Sequence, residues 1–290
     1  MPAETGCKAR AGSVGFVTIR CMPAVKYAAL FLFGLVFGSF FNVLIYRLPR
    51  DLSVVSPGSH CPHCRRPIAW YDNIPLLSFV LLGAKCRHCG GPISVRYPLV
   101  ELAGGIIFAG VPLLGAAVGY TAIPASEVTP FHDAFAIACV SIFFLTLVID
   151  FEHQIIPDQL NIALFILAWL AVFLLRPGFS PGWASSLVGM FVLSAFFLVF
   201  LLALGGFGMG DVKMAFGLGA LFGWQQLLVA AMLSFILGGV AAAGFGAFLM
   251  LRGRLRPRIP IPFGPYLALG SVVSLFCADR ILSWYLGFFR

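Results

Sequence analysis

Apolar runs of about 20 residues recur along this chain, and each is long enough to cross roughly 30 Å of hydrocarbon as a helix. No other feature constrains the fold so tightly. Backbone inside a bilayer has to satisfy its own N–H and C=O groups, which leaves helices and closed barrels, and runs this long and continuous are helical. Composition agrees, with 60% of residues hydrophobic and 10% charged, against about 25% charged in a soluble domain. The expected fold class is all-α, a polytopic membrane helix bundle.

Polar breaks divide the apolar sequence into eight expected spans, at 27–46, 99–119, 134–149, 160–175, 183–204, 212–222, 225–251 and 263–286. The sixth is short for a full crossing, so it is expected to be a partial helix whose ends are covered by protein or water. Gly104, Gly105, Gly217 and Gly219 suggest close helix packing. The expected organisation is a tail at 1–26, a first span at 27–46, a loop domain at 47–98 and a bundle at 99–290.

Basic residues set the orientation. Arg47, Arg50, Arg65, Arg66, Lys85, Arg87 and Arg96 gather in and beside the first loop, and Arg252, Arg254, Arg256 and Arg258 follow the seventh span. Both segments are expected to be cytoplasmic, with both termini facing outward. The same distribution accounts for the net charge of +8 without nucleic acid, since no DNA- or RNA-binding module accompanies it. Lys8, Arg10, Arg20 and Lys26 run against this topology. Met22-Pro23 repeats Met1-Pro2, so a start at Met22 is one expectation, and the first span reads as a retained anchor rather than a cleaved signal.

Within the first loop, Cys61-Pro-His-Cys64 and Cys86-Arg-His-Cys89 are separated by 21 residues. Paired C-x-x-C knuckles at such a separation suit a four-thiolate zinc site, each knuckle gripping one side of a tetrahedral ion. A disulfide framework is the alternative, and a reducing cytosol favours metal. With all four positions filled by Cys61, Cys64, Cys86 and Cys89, the zinc would be structural, stabilising a loop too small for much core. Cys7, Cys21, Cys139 and Cys277 lack such pairing and read as packing thiols.

Carboxylates in apolar spans are costly, about 2.5–3.5 kcal/mol at a helix centre, and default to functional candidates. Asp150 ends the run beginning at Phe143, and Asp211 follows Gly208-Met-Gly210, so the topology places both at the same membrane face. The glycines are expected to allow unusual dihedrals and close backbone approach. Two neighbouring carboxylates cannot both ionise easily and share a proton, the basis of aspartyl-protease chemistry. The alternative is that each is a helix end reaching interfacial water. Asp158, after Pro157, reads as a helix cap, Glu152 and His153 as solvated loop residues, and Asp133 as the start of span three. Asp279 is expected to pair with Arg280 or sit beside it as Arg280 reaches the interface. Lys213 either sets the charge near Asp211 or snorkels. The glycine-rich stretch at 205–210 lacks the strand–glycine–helix context of a phosphate cradle.

Four stretches carry a resemblance to a known family: Ser39-Phe-Phe-Asn-Val-Leu-Ile-Tyr-Arg-Leu-Pro49; the knuckles with Trp70-Tyr-Asp-Asn-Ile-Pro75 between them and Ile93-Ser-Val-Arg-Tyr-Pro98 after; Asp150-Phe-Glu-His-Gln-Ile-Ile-Pro-Asp158; and Gly208-Met-Gly-Asp-Val-Lys213. Together they resemble the type IV prepilin peptidases, bifunctional leader peptidases and N-methyltransferases of pilus and type II secretion systems. The resemblance implies that Asp150 and Asp211 are the catalytic aspartates, the second in a G-x-G-D motif shared with presenilin-like proteases. It implies cleavage of prepilins or pseudopilins, whose leader precedes an apolar helix, at the cytoplasmic face of the bacterial inner membrane. It further implies methylation of the new amino terminus, usually Phe, with S-adenosylmethionine. The four cysteines place the chain with the bifunctional members, while His60 and Ala84 depart from the pattern beside the knuckles.

Methyl transfer needs a positioned amine, so Glu101, with Asn42 and Arg47 at the end of span one, are its candidates. A structural pairing of Glu101 with Arg96 or Arg47 is equally open. The competing functions are a proton-coupled transporter using intramembrane carboxylates and a non-catalytic scaffold built on the zinc loop.

Overall fold

The computed structural model describes residues 23–121, 123–174, 182–204, 207–252 and 262–288. The expected tail up to residue 22, with Cys7 and Cys21, lies outside these residues, as do Gly205, Gly206 and three arginines of the last connection, Arg254, Arg256 and Arg258. The described residues are helical with a few isolated β-bridges. The helices are α1 (Pro23–Arg47), α2 (Leu77–Leu81), α3 (Arg96–Val118), α4 (Pro130–His153), α5 (Asp158–Leu174), α6 (Trp183–Leu204), α7 (Met209–Leu251) and α8 (Gly264–Gly287). All but α2 are apolar segments at the expected spans, their ends shifted by a few residues.

α7 is too long to be one crossing. Its 43 residues, if straight, would extend about 65 Å, more than twice the hydrocarbon thickness. Gly223 breaks it, at φ 66° and ψ −179°, a conformation that suits glycine. Contacts on α6 reveal the direction of each limb. Gly189 lies against Gly219 and Trp224, on either side of the break. Further along α6, Phe191 meets Phe216 with ring centroids 5.8 Å apart, and Phe197 meets Phe235 at 6.1 Å. The limb 209–222 therefore runs against α6 and the limb 224–251 runs with it. Phe235 also reaches Phe207, just before α7, at 6.2 Å. The helix folds back on itself, and the expected sixth and seventh spans are its two limbs.

α4 is the most buried of the long helices and packs against α1, α3, α5 and α8. Thr129 and His132 form a reciprocal cap at its start. α1 and α3 cross without intervening side chains: a Cβ on Gly34 would lie 2.5 Å from the Gly104 carbonyl oxygen, and one on Gly38 would lie 2.5 Å from the Glu101 Cα. Small residues in this register let two backbones approach and gain dispersion contacts that larger side chains would forfeit.

Polar side chains sort into two levels at the helix ends. At one end, Arg96 of α3 binds Glu152 of α4 at 2.6 Å, and Lys213 of α7 binds Asp158 of α5 at 2.7 Å. At the other, Lys26 pairs with Asp133 at 3.2 Å, Tyr120 donates to Asp133 at 2.9 Å, and Gln226 donates to Asp279 at 2.9 Å. Lys26, which runs against the inside rule, thus has its charge met at the end of α4 remote from Asp150. Asp133 is a buried pairing partner as well as a helix start. Asp279 pairs with Gln226 while Arg280 donates to the Val118 carbonyl closing α3.

Candidate active site

Asp150 occupies the last turn of α4, where Gln154 adopts a left-handed conformation and its N–H closes on the Asp150 carbonyl at 2.9 Å. Asp211 lies in the first turn of α7, and its carboxylate accepts from the Gly208 N–H at 2.9 Å, half of a capping box. Opposed helix ends therefore deliver the two carboxylates to one end of the bundle. They are 5% and 7% exposed and close enough for the charge on Asp211 to act on Asp150. Asp211 caps its helix and stands near enough for its charge to act on Asp150, so the cap and the site are one feature.

Gly264, which sequence reasoning missed, completes the arrangement. Its backbone N–H lies beside the Asp150 carboxylate. A Cβ there would stand 2.5 Å from Asp150 Oδ2 and 3.1 Å from Ile156 Cδ1. Gly210 serves the neighbouring contact, since a Cβ on it would come within 3.0 Å of the Ile156 Cβ. Ile156 is thus wedged between two glycines from different helices and locks the α4–α5 turn against the starts of α7 and α8. The expected special dihedrals are not what these motif glycines provide: Gly208 has φ −86° and Gly210 is not among the positive-φ residues. Gly210 provides space and Gly208 a donor. The Gly264-Pro265 pair opening α8 is a sequence signal that could have pointed here.

The neighbouring charges are otherwise engaged. Asp158 starts α5 as expected and takes Lys213 through both carboxylate oxygens at 2.7 and 2.8 Å, which directs the ammonium to Asp158. Glu152 is helical and bound to Arg96 rather than a free loop residue.

The second cluster lies in the loop. The Sγ atoms of Cys61, Cys64, Cys86 and Cys89 all lie within 4.8 Å of one another, with Cys61 and Cys89 at 3.9 Å. A tetrahedral Zn²⁺ with Zn–S near 2.3 Å requires sulfurs about 3.8 Å apart, so the donor set and its spacing fit a metal. Among the described residues these cysteines are free of disulfides. The two knuckles share one backbone pattern, Cys61 N to Arg66 O at 3.0 Å and Cys86 N to Gly91 O at 2.8 Å. The fifth residue of each is left-handed, Arg65 in one and Gly90 in the other. Backbone N–H groups of Cys89 and His88 point at the Cys86 sulfur and pull its thiol down to about 7. Arg87 grips Asp72 at 2.6 to 3.0 Å and holds that carboxyl below the usual range, tying the second knuckle to the turn at Trp70–Asn73.

Glu101, Asn42 and Arg47 are buried together where α1, α3 and the loop meet. Glu101 accepts from the Leu76 N–H at 2.8 Å and lies beside the Ser39 hydroxyl. Asn42 donates to the Tyr97 carbonyl at 3.1 Å, and Arg47 donates to the Ser53 and Pro57 carbonyls. Among the described contacts neither Arg47 nor Arg96 takes Glu101 as its partner: Arg47 binds backbone carbonyls of the loop and Arg96 binds Glu152.

Comparisons with known proteins converge. Residues 32–114 match the Bacterial Peptidase A24 N-terminal domain and residues 137–243 the Type IV leader peptidase family. A prepilin leader peptidase/N-methyltransferase of Aeromonas hydrophila is 35% identical over 91% of this chain and 95% of its own length. Proteins of the same name from Bacillus subtilis, 34% identical over 89% and 96%, and from Pseudomonas aeruginosa, 32% identical over 92% and 99%, match as broadly. No solved structure matches the chain.

Proposed function

This chain belongs to the type IV leader peptidase family, and on that premise we propose that Asp150 and Asp211 are the hydrolytic pair of a membrane aspartyl endopeptidase that removes prepilin leaders. The protein is a two-activity enzyme, a prepilin peptidase and an N-methyltransferase. The observation that carries the assignment of residues is that two buried carboxylates are brought from opposed helix ends to one end of the bundle, near enough for the charge on Asp211 to act on Asp150. Sharing one proton, the ionised member takes a proton from water while the protonated member polarises the scissile carbonyl. Water adds to the carbonyl carbon, and collapse of the tetrahedral diol passes a proton to the departing amine. The Gly208 N–H holds the Asp211 carboxylate, and the Gly264 backbone N–H lies beside that of Asp150, so fixed dipoles stand ready as the charge moves between them.

Cleavage of a prepilin by the purified chain, read as a new amino terminus by mass spectrometry, tests this. Asp150→Asn and Asp211→Asn should each lower it by at least about 100-fold. Processing that survives either change defeats the pair. The proton-coupled transporter reading finds no support among the family matches, and the non-catalytic scaffold predicts no new amino terminus.

Methylation of that terminus, usually Phe, is assigned to the region where α1, α3 and the loop meet. S-adenosylmethionine supplies a methyl group on a sulfonium, and Glu101 is the group that would hold and orient the attacking amine, with Asn42 beside it. Arg47, by its contacts with Ser53 and Pro57, anchors the loop that closes this region. Cys61, Cys64, Cys86 and Cys89 would hold a structural Zn²⁺, whose four thiolates leave no open position. The chain is a multi-pass membrane protein, and its place is the bacterial inner membrane with the aspartates at the cytoplasmic face, where the basic first loop lies. Its substrates are prepilins or pseudopilins whose apolar helix enters the same bilayer.

A further inference from the structure

The short helix α2 is amphipathic in the reverse of the soluble sense. Ser78 is buried and donates to the Tyr71 carbonyl at 3.0 Å, while Leu77, Val80 and Leu81, one face at helical spacing, are 50%, 73% and 74% exposed. Trp70, seven residues earlier, is 79% exposed. A domain surrounded only by water would turn this face inward. Its height in the fold explains why it does not. The Leu76 N–H, immediately before α2, bonds to Glu101, five residues into α3 and so about 7 Å along that helix from its start. At that level α3 already turns apolar residues outward, with Leu99 60% and Leu102 37% exposed. Leu76 holds the bend at φ 60°, a left-handed value unusual for leucine. The loop thus doubles back from its knuckles to a level at which α3 already exposes apolar side chains. Exposed Lys85 follows α2, and exposed Arg65 and Arg66 stand on the neighbouring knuckle, the charge pattern that anionic headgroups attract.

We propose that α2 and Trp70 form an interfacial anchor that inserts into the adjoining leaflet of the bilayer, with anionic lipid as its partner. The anchor holds the cysteine-bearing loop against the membrane surface, with the indole at the headgroup boundary and Leu77, Val80 and Leu81 among the first acyl carbons. This reading is independent of which residues carry out hydrolysis or methyl transfer.

The full chain in nanodiscs of phosphatidylcholine and phosphatidylglycerol tests it, with the emission of Trp70 isolated as the difference from a Trp70→Phe chain. Bromine on the acyl chains should quench that emission by more than half, and aqueous iodide should leave it nearly unchanged. The reverse result overturns the proposal in favour of an exposed loop, and shielding from both quenchers overturns it in favour of a protein contact. Joint Val80→Asp and Leu81→Asp substitution, read on chains that retain their loop metal, should shift Trp70 from bromine to iodide quenching. An unchanged profile in that variant also overturns the proposal. Replacing phosphatidylglycerol by phosphatidylcholine should weaken the bromine effect, and an equal effect without anionic lipid rejects the assignment of anionic lipid as partner.

Discussion

Gly264 illustrates how little a residue needs to contribute chemically to control a site. It adds no functional group beyond its backbone, yet its missing Cβ leaves the space that the Asp150 carboxylate occupies. Gly264→Ala should therefore lower prepilin cleavage by about 100-fold, the scale of a misplacement near 1 Å, while leaving the helical circular dichroism of the detergent-solubilised chain unchanged. Cleavage at the wild-type rate would show that Asp150 has room to move. Sequence reading reached Asp150 and Asp211 because a charge in an apolar run is conspicuous. It missed Gly264 and Ile156 because an apolar residue in an apolar chain is not, and their value lies in contacts between positions more than fifty residues apart.

Between elements, the pair formed by Arg96 and Glu152 joins the first turn of α3 to the last turn of α4, two residues from Asp150. Both side chains are about one-third exposed, so the pair contributes no more than about 1 kcal/mol after screening. Its consequence is alignment rather than stability. Arg96→Glu should slow cleavage by roughly 3- to 10-fold through a few tenths of an ångström at Asp150, and the double exchange with Glu152→Arg should restore most of the rate. A double exchange no faster than the single variant would assign the effect to Arg96 alone. Lys213 shows the same separation of neighbours in sequence from partners in space. Two positions from Asp211, it is instead bound to Asp158 at the start of α5. The break in α7 was legible as the gap between the sixth and seventh expected spans, 212–222 and 225–251, but its sense, a reversal rather than a kink, follows only from the contacts of each limb with α6.

At the scale of the whole molecule, two clusters with different demands share one end of the bundle: a carboxylate pair fixed by helix termini, and a thiolate cluster in a loop whose core is small. Metal in the second would supply folding energy that the loop cannot gain from burial. Cys64→Ser or chelation should reduce the zinc content measured by elemental analysis and make the loop sensitive to protease. Methylation of a cleaved pilin should then fall at least about 10-fold, as outer-shell and ligand losses in metal sites do, while cleavage is affected much less. Equal loss of both activities would show that the loop also supports the proposed peptidase site. The sequence alone determined the membrane setting, the eight apolar segments, the thiolate spacing and the two costly aspartates, because hydrophobic length, ligand spacing and the cost of a buried charge are local properties of a chain. Only the tertiary structure decided that α7 folds back on itself, that Gly210 and Gly264 close on Ile156 and Asp150, and that Glu101 reaches the backbone of Leu76. Each of those depends on distances between segments that no local pattern encodes.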